Sequence, residues 1–160
     1  MKNQANNGRI DTVSKIIDAS PQTLYQAFMD TGSLVKWLPP KGMSGEISLF
    51  EPVVGGRFQV TLTYEDKYTT QGKTTENTDT LEGTFIELVP YKKIVEAGVF
   101  DSDDPTFARK MVMTWYFEEV VLGTKVTIVA ENVPEDIKKE DHLDGLNSTL
   151  KNLGHFVKIG

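Results

Sequence analysis

Two histidines and several carboxylates are the side chains of this sequence that could carry out proton-transfer chemistry. His142 follows Asp141, and a neutral histidine acts as a general base when a carboxylate such as Glu131 or Glu76 orients its ring. The alternative is that His142 is a surface residue or a local helix cap. His155 lies thirteen residues beyond it, which on one helix is about 20 Å. The two histidines therefore cannot share a metal ion, and we expect no metal site.

A polar segment at residues 71–79 (QGKTTENTD) holds further candidates, because it contains no large apolar side chain. Glu76 and Asp79, with the hydroxyl and amide groups beside them, could line the mouth of a pocket. The alternative is a surface loop whose Thr and Asn side chains bond to backbone groups. Asp79 enters the following strand and is expected to point inward, where a buried carboxylate needs a partner such as Arg57 or Lys110.

Composition excludes several other functions. The 160 residues contain no cysteine, which rules out a disulfide, a thiolate nucleophile and a cysteine-bound metal. The nucleophile pattern G-x-S-x-G is also absent. Acidic residues outnumber basic ones 23 to 17 without a basic cluster, so we expect neither nucleic acid nor an anionic membrane as a partner. No run approaches the roughly 20 apolar residues of a membrane span, and the N-terminus lacks a signal-peptide core, so a cytoplasmic location is expected.

Hydrophobic periodicity predicts the elements that position these residues. The alternation of apolar and polar residues from Phe58 to Tyr64 is typical of a half-buried strand. Apolar residues recur at intervals of three and four from Leu143 to Val157, which indicates a long helix. Ser20 and Pro21 together form a good helix start. The predicted strands span residues 9–17, 43–50, 57–64, 81–89, 94–100, 110–120 and 124–133, and the predicted helices span residues 21–29, 33–38 and 136–158.

The order of these elements predicts an α+β fold. Short connections favour antiparallel neighbours, and the long helix is the one element that could cover the apolar face of the sheet. We therefore expect a curved antiparallel sheet of six to seven strands wrapped around the C-terminal helix, with an apolar pocket between them. Two short helices after the first strand would close one end and place Trp37 and Leu38 near the pocket mouth. Residues 1–8 are expected to be a flexible tail, and residues 9–160 a single domain.

Short motifs along most of the chain, read in this order, resemble a known superfamily. The matching segments are Ala19-Ser20-Pro21, Lys36-Trp37-Leu38-Pro39, Gly55-Gly56-Arg57-Phe58, residues 72–79 (GKTTENTD), residues 83–90 (GTFIELVP), residues 123–127 (GTKVT), Asp141-His142 and residues 145–150 (GLNSTL). They resemble the helix-grip (START-like, SRPBCC) superfamily, in particular the branch named after the activator of heat shock protein 90 ATPase. The resemblance implies a helix-grip fold, and its members include ligand carriers, cyclases and co-chaperones. Many members carry Trp where this chain has Leu146, which should enlarge or reshape the pocket.

The expected pocket walls are apolar and rich in methionine, a residue that adapts to irregular ligands. The alternative is that these residues form a plain core. The predicted lining residues are Trp37, Met43, Phe58, Val60, Leu62, Tyr64, Leu81, Phe85, Met111, Met113, Trp115, Leu146 and Leu150.

These observations favour binding over catalysis. The predicted function is binding of a small hydrophobic or amphipathic ligand between sheet and helix, without a cofactor, by a monomer or homodimer. One alternative is an acid–base enzyme of the polyketide cyclase or hydrolase kind, with His142, Glu76 or Asp79 as the catalytic candidates. The resemblance also implies a third possibility, a co-chaperone-like activator of the heat shock protein 90 ATPase.

Overall fold

Seven strands and three helices make up the part of the chain that the structure describes. The computed structural model describes residues 8–65, 75, 77–104 and 109–159. The elements are, in chain order, β1 (Ile10–Ile17), α1 (Pro21–Met29), α2 (Thr31–Trp37), β2 (Met43–Phe50), β3 (Arg57–Tyr64), β4 (Thr78–Val89), β5 (Lys93–Phe100), β6 (Met111–Val120), β7 (Gly123–Glu131) and α3 (Lys139–Ile159).

All seven strands form one antiparallel sheet in the order β1-β7-β6-β5-β4-β3-β2. Neighbouring strands from β2 to β7 are consecutive in the chain, whereas β1, the first strand, pairs with β7, the last one. The sheet curls into a half-barrel whose concave face packs against α3. The predicted α+β helix-grip fold is therefore confirmed.

The N-terminal caps explain where the short helices begin. Ser20 Oγ accepts a hydrogen bond from the Thr23 backbone N–H at 3.1 Å, and Pro21 occupies the first position of α1. The helix α2 begins two residues earlier than predicted, because Asp30 caps it. The Asp30 Oδ2 atom accepts from the Ser33 backbone N–H at 3.0 Å and from the Ser33 hydroxyl at 2.7 Å.

Two further boundaries differ from the prediction by three residues each. The strand β4 begins at Thr78 rather than at residue 81, so the end of the polar segment belongs to the sheet. Thr80 pairs with Thr61 of β3, and their hydroxyls lie 2.9 Å apart. Threonine is β-branched and fits a strand as well as a loop. The helix α3 begins at Lys139 rather than at residue 136, because a turn from Pro134 to Ile137 precedes it.

Aromatic side chains fill the core between the short helices and the sheet. Trp37 is fully buried, its ring contacts those of Phe28 and Trp115, and its Nε1–H donates to the Ala27 carbonyl at 3.0 Å. Trp37, which was expected near the pocket mouth, therefore forms part of the aromatic core. None of the helices in the described ranges has the length and apolar character needed to cross a membrane.

Candidate functional site

The concave face of the sheet carries one carboxylate in its central part, Glu96 of β5. Strand register places Glu96 between Phe85 of β4 and Met113 of β6. Its strand neighbours on the same face are Ile94, which is fully buried, and Gly98. Glu96 thus lies on the concave face of the sheet, and its nearest neighbours on that face are apolar.

A small void lies beside this carboxylate. Its volume is about 10 Å³, which is about the space that one water molecule needs. The residues around it are Phe58, Leu81, Glu96, Gly98, Met111 and Met113. Four of the predicted pocket residues therefore meet here, together with a carboxylate and a glycine that the sequence analysis did not single out.

Two glycines shape the sheet next to the void. Gly83 and Gly98 face each other in the register of β4 and β5. A Cβ atom on Gly83 would lie 2.6 Å from Phe58 Cζ and 2.1 Å from the Ala97 carbonyl oxygen. The absence of a side chain at Gly83 therefore lets the Phe58 ring lie against the backbone and define one wall.

The Glu96 side chain is partly buried, and its carboxyl group is only partly hydrogen-bonded. Trp115 Nε1–H donates to Glu96 Oε1 at 3.3 Å. Burial raises the pKa of Glu96 to about 7, against the opposing effect of the Trp115 hydrogen bond. No donor among the described residues contacts Oε2, and every fully buried polar side-chain atom in those ranges has a partner. The Oε2 atom therefore keeps accessible surface, and Glu96 is one of the residues that border the void.

The helix α3 packs more closely against one side of the concave face than against the other. Among the strands, α3 approaches β1 most closely. Val126 and Ile128 of β7, next to β1, are completely buried, whereas Leu62 of β3 and Leu81 of β4 remain partly exposed. The void therefore lies on the less covered side of the concave face.

Tyr64 and Asp79 form a polar pair on β3 and β4 at the end of the sheet where α3 begins. The Tyr64 hydroxyl donates to Asp79 Oδ2 at 2.9 Å, and Asp79 is buried. Burial, the Asp79 charge and hydrogen bond, and the Asp141 charge all raise the Tyr64 pKa. Asp141 of α3 is thus close enough to act on this pair. The expected Asp79 partner Arg57 instead pairs with Glu51, with 3.6 Å between Nε and Oε1.

His142 lies on the β1 side of α3, away from the residues that border the void. Its Nδ1 atom is 2.7 Å from Oδ2 of Asp11, a fully buried carboxylate that also contacts Arg9 Nη2 at 2.9 Å and Lys139 Nζ at 3.5 Å. Burial favours a higher Asp11 pKa, but the hydrogen bonds and charges of Arg9 and His142 outweigh it and lower the pKa. The carboxylate that contacts His142 is therefore Asp11 and not Glu131.

Other predicted residues are distributed over the core and the rim. Glu76 lies outside the described residues. Leu150, Phe85 and Val60 are buried along the interface of sheet and helix, and Leu146 of α3 is buried as well. Met43 of β2 is in register with Tyr64 and is partly exposed at the same end of the sheet.

A wider depression of about 800 Å³ lies at the opposite end of the sheet and is open to solvent. It lies between the β1–α1 connection and the turn from β6 to β7, where Val121 is fully exposed. Across the described ranges, no cluster of three or more His, Asp or Glu side chains is arranged to bind a metal ion.

A half-barrel sheet that grips a C-terminal helix defines a helix-grip domain of the ligand-binding type. Residues 18–158 match the sequence family described as Activator of Hsp90 ATPase homolog 1-like protein, and the chain belongs to this family. The predicted membership is thereby confirmed. A comparison with functionally curated proteins finds no match.

Solved structures show the same fold. Protein CV1439 from Chromobacterium violaceum is 26% identical, with a TM-score of 0.81 over 93% of this chain and 96% of that one. An AHSA1 protein from Silicibacter pomeroyi is 13% identical, with a TM-score of 0.74 over 94% and 99%. An AHSA1-like protein from Aeromonas hydrophila is 16% identical, with a TM-score of 0.71 over 94% and 93%.

Proposed function

We propose that this protein binds a small hydrophobic or amphipathic molecule between the sheet and α3, beside Glu96. The observation that carries the proposal is the position of Glu96, which borders a void otherwise lined by apolar side chains and a glycine and has one oxygen that no described residue contacts. Ligand sites typically combine apolar walls with a few polar groups that fix orientation. A residue that served only to fill the core would be apolar here, because an unpaired buried carboxylate is destabilising.

Ligand entry requires the void to widen. A cavity that accepts benzene measures on the order of 150 Å³, whereas the void beside Glu96 offers about 10 Å³. Methionine side chains change rotamer readily, and Met113 and Leu81 at the border are only partly buried. We therefore expect Met113 and Leu81 to move when a ligand enters from the less covered side.

Methyl NMR of the methionines tests the proposal. The protein carrying ¹³C-labelled methionine methyl groups is titrated with a panel of small aromatics and lipophilic fluorophores. We expect saturable shifts of Met111 and Met113 with a Kd below about 1 mM, while Met29 of α1 provides an internal reference. If no compound shifts Met111 or Met113 at that concentration, or if all compounds shift Met29 equally, the proposal is refuted.

A blocking variant localises the binding. Leu81→Trp adds volume at the border of the void and should abolish the Met113 response. Leu81→Met conserves volume and should retain it. Leu122→Ser, in the solvent-exposed depression at the other end of the sheet, should leave binding unchanged, and loss of binding in that variant would place the site in the depression instead. Thermal unfolding of each variant shows whether it is folded.

A second candidate function, acid–base catalysis, is favoured by the same carboxyl group. A carboxylic acid whose pKa lies near neutrality is suited to both accept and donate a proton. Glu96 meets this requirement, whereas the ring of His142 is hydrogen-bonded to Asp11. A panel of enolisable and cyclisable substrates tests this function, and equal turnover by the protein and by Glu96→Gln would refute it.

A further inference from the structure

We propose that the ligand is a lipophilic amine, a small apolar ring or chain bearing one ammonium group that pairs with the Glu96 carboxylate. This inference names the ligand class of the site and rests on the proposed function. It goes beyond the binding of apolar molecules in general, because it commits to a positive charge at a defined position.

The two oxygens of Glu96 have different roles in this arrangement. The Trp115 Nε1–H bond to Oε1 is made within the protein and fixes the carboxyl group. The Oε2 atom has no described donor and keeps accessible surface, and Glu96 borders the void. A ligand that fills the void therefore leaves Oε2 without water and without a hydrogen bond unless it supplies a donor, and an unsatisfied buried acceptor is costly.

The surroundings of Glu96 favour a cationic donor over a neutral one. Burial already desolvates part of this carboxyl group in the free protein, so a ligand has to displace water only from the remaining part. Burying a lone charge is destabilising, and an incoming opposite charge removes that penalty. The pKa of Glu96 near 7 means that at neutral pH the group is poised between its two protonation states, and an ammonium ion would favour the ionised one.

Charges around the site also favour a cation. The groups toward the start of α3 on this side are Asp79 and Asp141 together with the neutral Tyr64 hydroxyl. The basic side chains Arg9 and Lys139 contact Asp11 on the β1 side of α3. The whole chain carries a net charge of -6. An anionic ligand would therefore meet repulsion at the carboxylate and on approach, whereas a cation is attracted in both places.

The shape of the site limits the apolar part of the ligand. The void measures about 10 Å³, and Phe58 is held in place against Gly83. Widening must therefore come from Met111, Met113 and Leu81. A single ring or a short branched chain fits this limited widening better than a multi-ring molecule.

Benzylamine and ethylbenzene test the inference, since they have nearly the same shape and differ in charge. Their Kd values at pH 8 are measured through the Met113 methyl signal, with the protein, Glu96→Gln and the control Glu82→Gln. Glu82 is exposed on the neighbouring strand and bonds to Gln59 at 3.1 Å. We expect benzylamine to bind the protein at least about tenfold more tightly than ethylbenzene. Glu96→Gln should lose about tenfold in benzylamine affinity, while Glu82→Gln should match the protein.

The outcomes separate the inference from the proposed function. If ethylbenzene binds as tightly as benzylamine, or if Glu96→Gln keeps full benzylamine affinity, the amine inference is overturned while an apolar ligand site stands. If neither compound nor any other member of the aromatic panel shifts Met113, the proposed function fails and the inference falls with it. Ethylbenzene affinity in Glu96→Gln, expected within about threefold of the unsubstituted protein, shows that the variant retains the site.

Discussion

Replacing Glu96 with Gln should stabilise the protein at alkaline pH relative to acidic pH. The pKa of Glu96 is raised from 4.5 to about 7 in the folded state, so between these values the folded state binds more protons than the unfolded state. Stability contributed by this group therefore falls as pH rises from about 4.5 to about 7, and is constant outside that window. This direction is opposite to that of a salt-bridged carboxylate.

The size of the effect follows from the same pKa values. One pKa unit corresponds to about 1.4 kcal/mol, so the rise to about 7 amounts to about 3 kcal/mol of lost stability above pH 8. Gln keeps an oxygen that accepts the Trp115 N–H but does not titrate. The free energy of unfolding of Glu96→Gln minus that of the unsubstituted protein should therefore increase by about 3 kcal/mol between pH 4 and pH 8.

Urea unfolding followed by the fluorescence of the two tryptophans measures this difference. Other titrating groups contribute equally to both proteins and cancel. The control Glu82→Gln removes a carboxylate from the solvent-exposed side of β4 and should change stability by less than about 0.5 kcal/mol. A Glu96→Gln difference that does not change between pH 4 and pH 8 would refute the claim that this carboxyl is desolvated.

The remaining predictions concern the parts of the fold that support the site. Asp11→Asn should destabilise the protein by about 3 kcal/mol at pH 7, because it leaves the charges around a fully buried carboxylate uncompensated. The Asp11 pKa is lowered from 3.8, so this loss should shrink as the pH falls below about 4 in urea unfolding, and a loss that is independent of pH would contradict the pairing. Gly83→Ala should destabilise by more than about 2 kcal/mol in thermal unfolding, because its Cβ would overlap the Ala97 carbonyl oxygen. The matched change Gly145→Ala in α3, where the nearest atom is 3.9 Å away, should be neutral or stabilising by up to about 1 kcal/mol, and equal losses at both positions would show that packing around Gly83 is not the cause.

Periodicity was sufficient to predict the fold because each element has one apolar face. Strands such as β3 and the stripe along α3 carry that pattern in consecutive residues, and short connections leave few alternatives to antiparallel pairing. Element ends were less predictable, since they depend on single hydrogen bonds. Asp30 moves the start of α2, and pairing of Thr78 with Thr63 of β3 moves the start of β4.

The candidate site was only partly predictable. The apolar walls Phe58, Leu81, Met111 and Met113 follow from strand alternation. The role of Glu96 was missed, although alternation from Ile94 to Phe100 would have placed it on the inner face of β5. Its partner Trp115 becomes adjacent only through the pairing of β5 with β6, and strand register is not visible in one strand alone.

The Asp11–His142 contact was hidden for the same physical reason. These two residues are 131 positions apart in the chain, and they meet only because β1 pairs with β7 and lies under the first turns of α3. No local pattern in either segment indicates the other. Sequence reasoning therefore offered His142 as a catalytic candidate or as a surface or capping residue, and it could not reveal the contact with Asp11.

Intermolecular nuclear Overhauser effects in the benzylamine complex test directly whether a ligand binds beside Glu96, between the sheet and α3. We expect contacts from the ring protons to the methyl groups of Met111 and Met113 and from the methylene next to the nitrogen to the Trp115 indole. Binding beside Glu96 would be contradicted by contacts to Val121 and Leu122 at the other end of the sheet. It would also be contradicted if no intermolecular contact appeared at a saturating concentration of benzylamine.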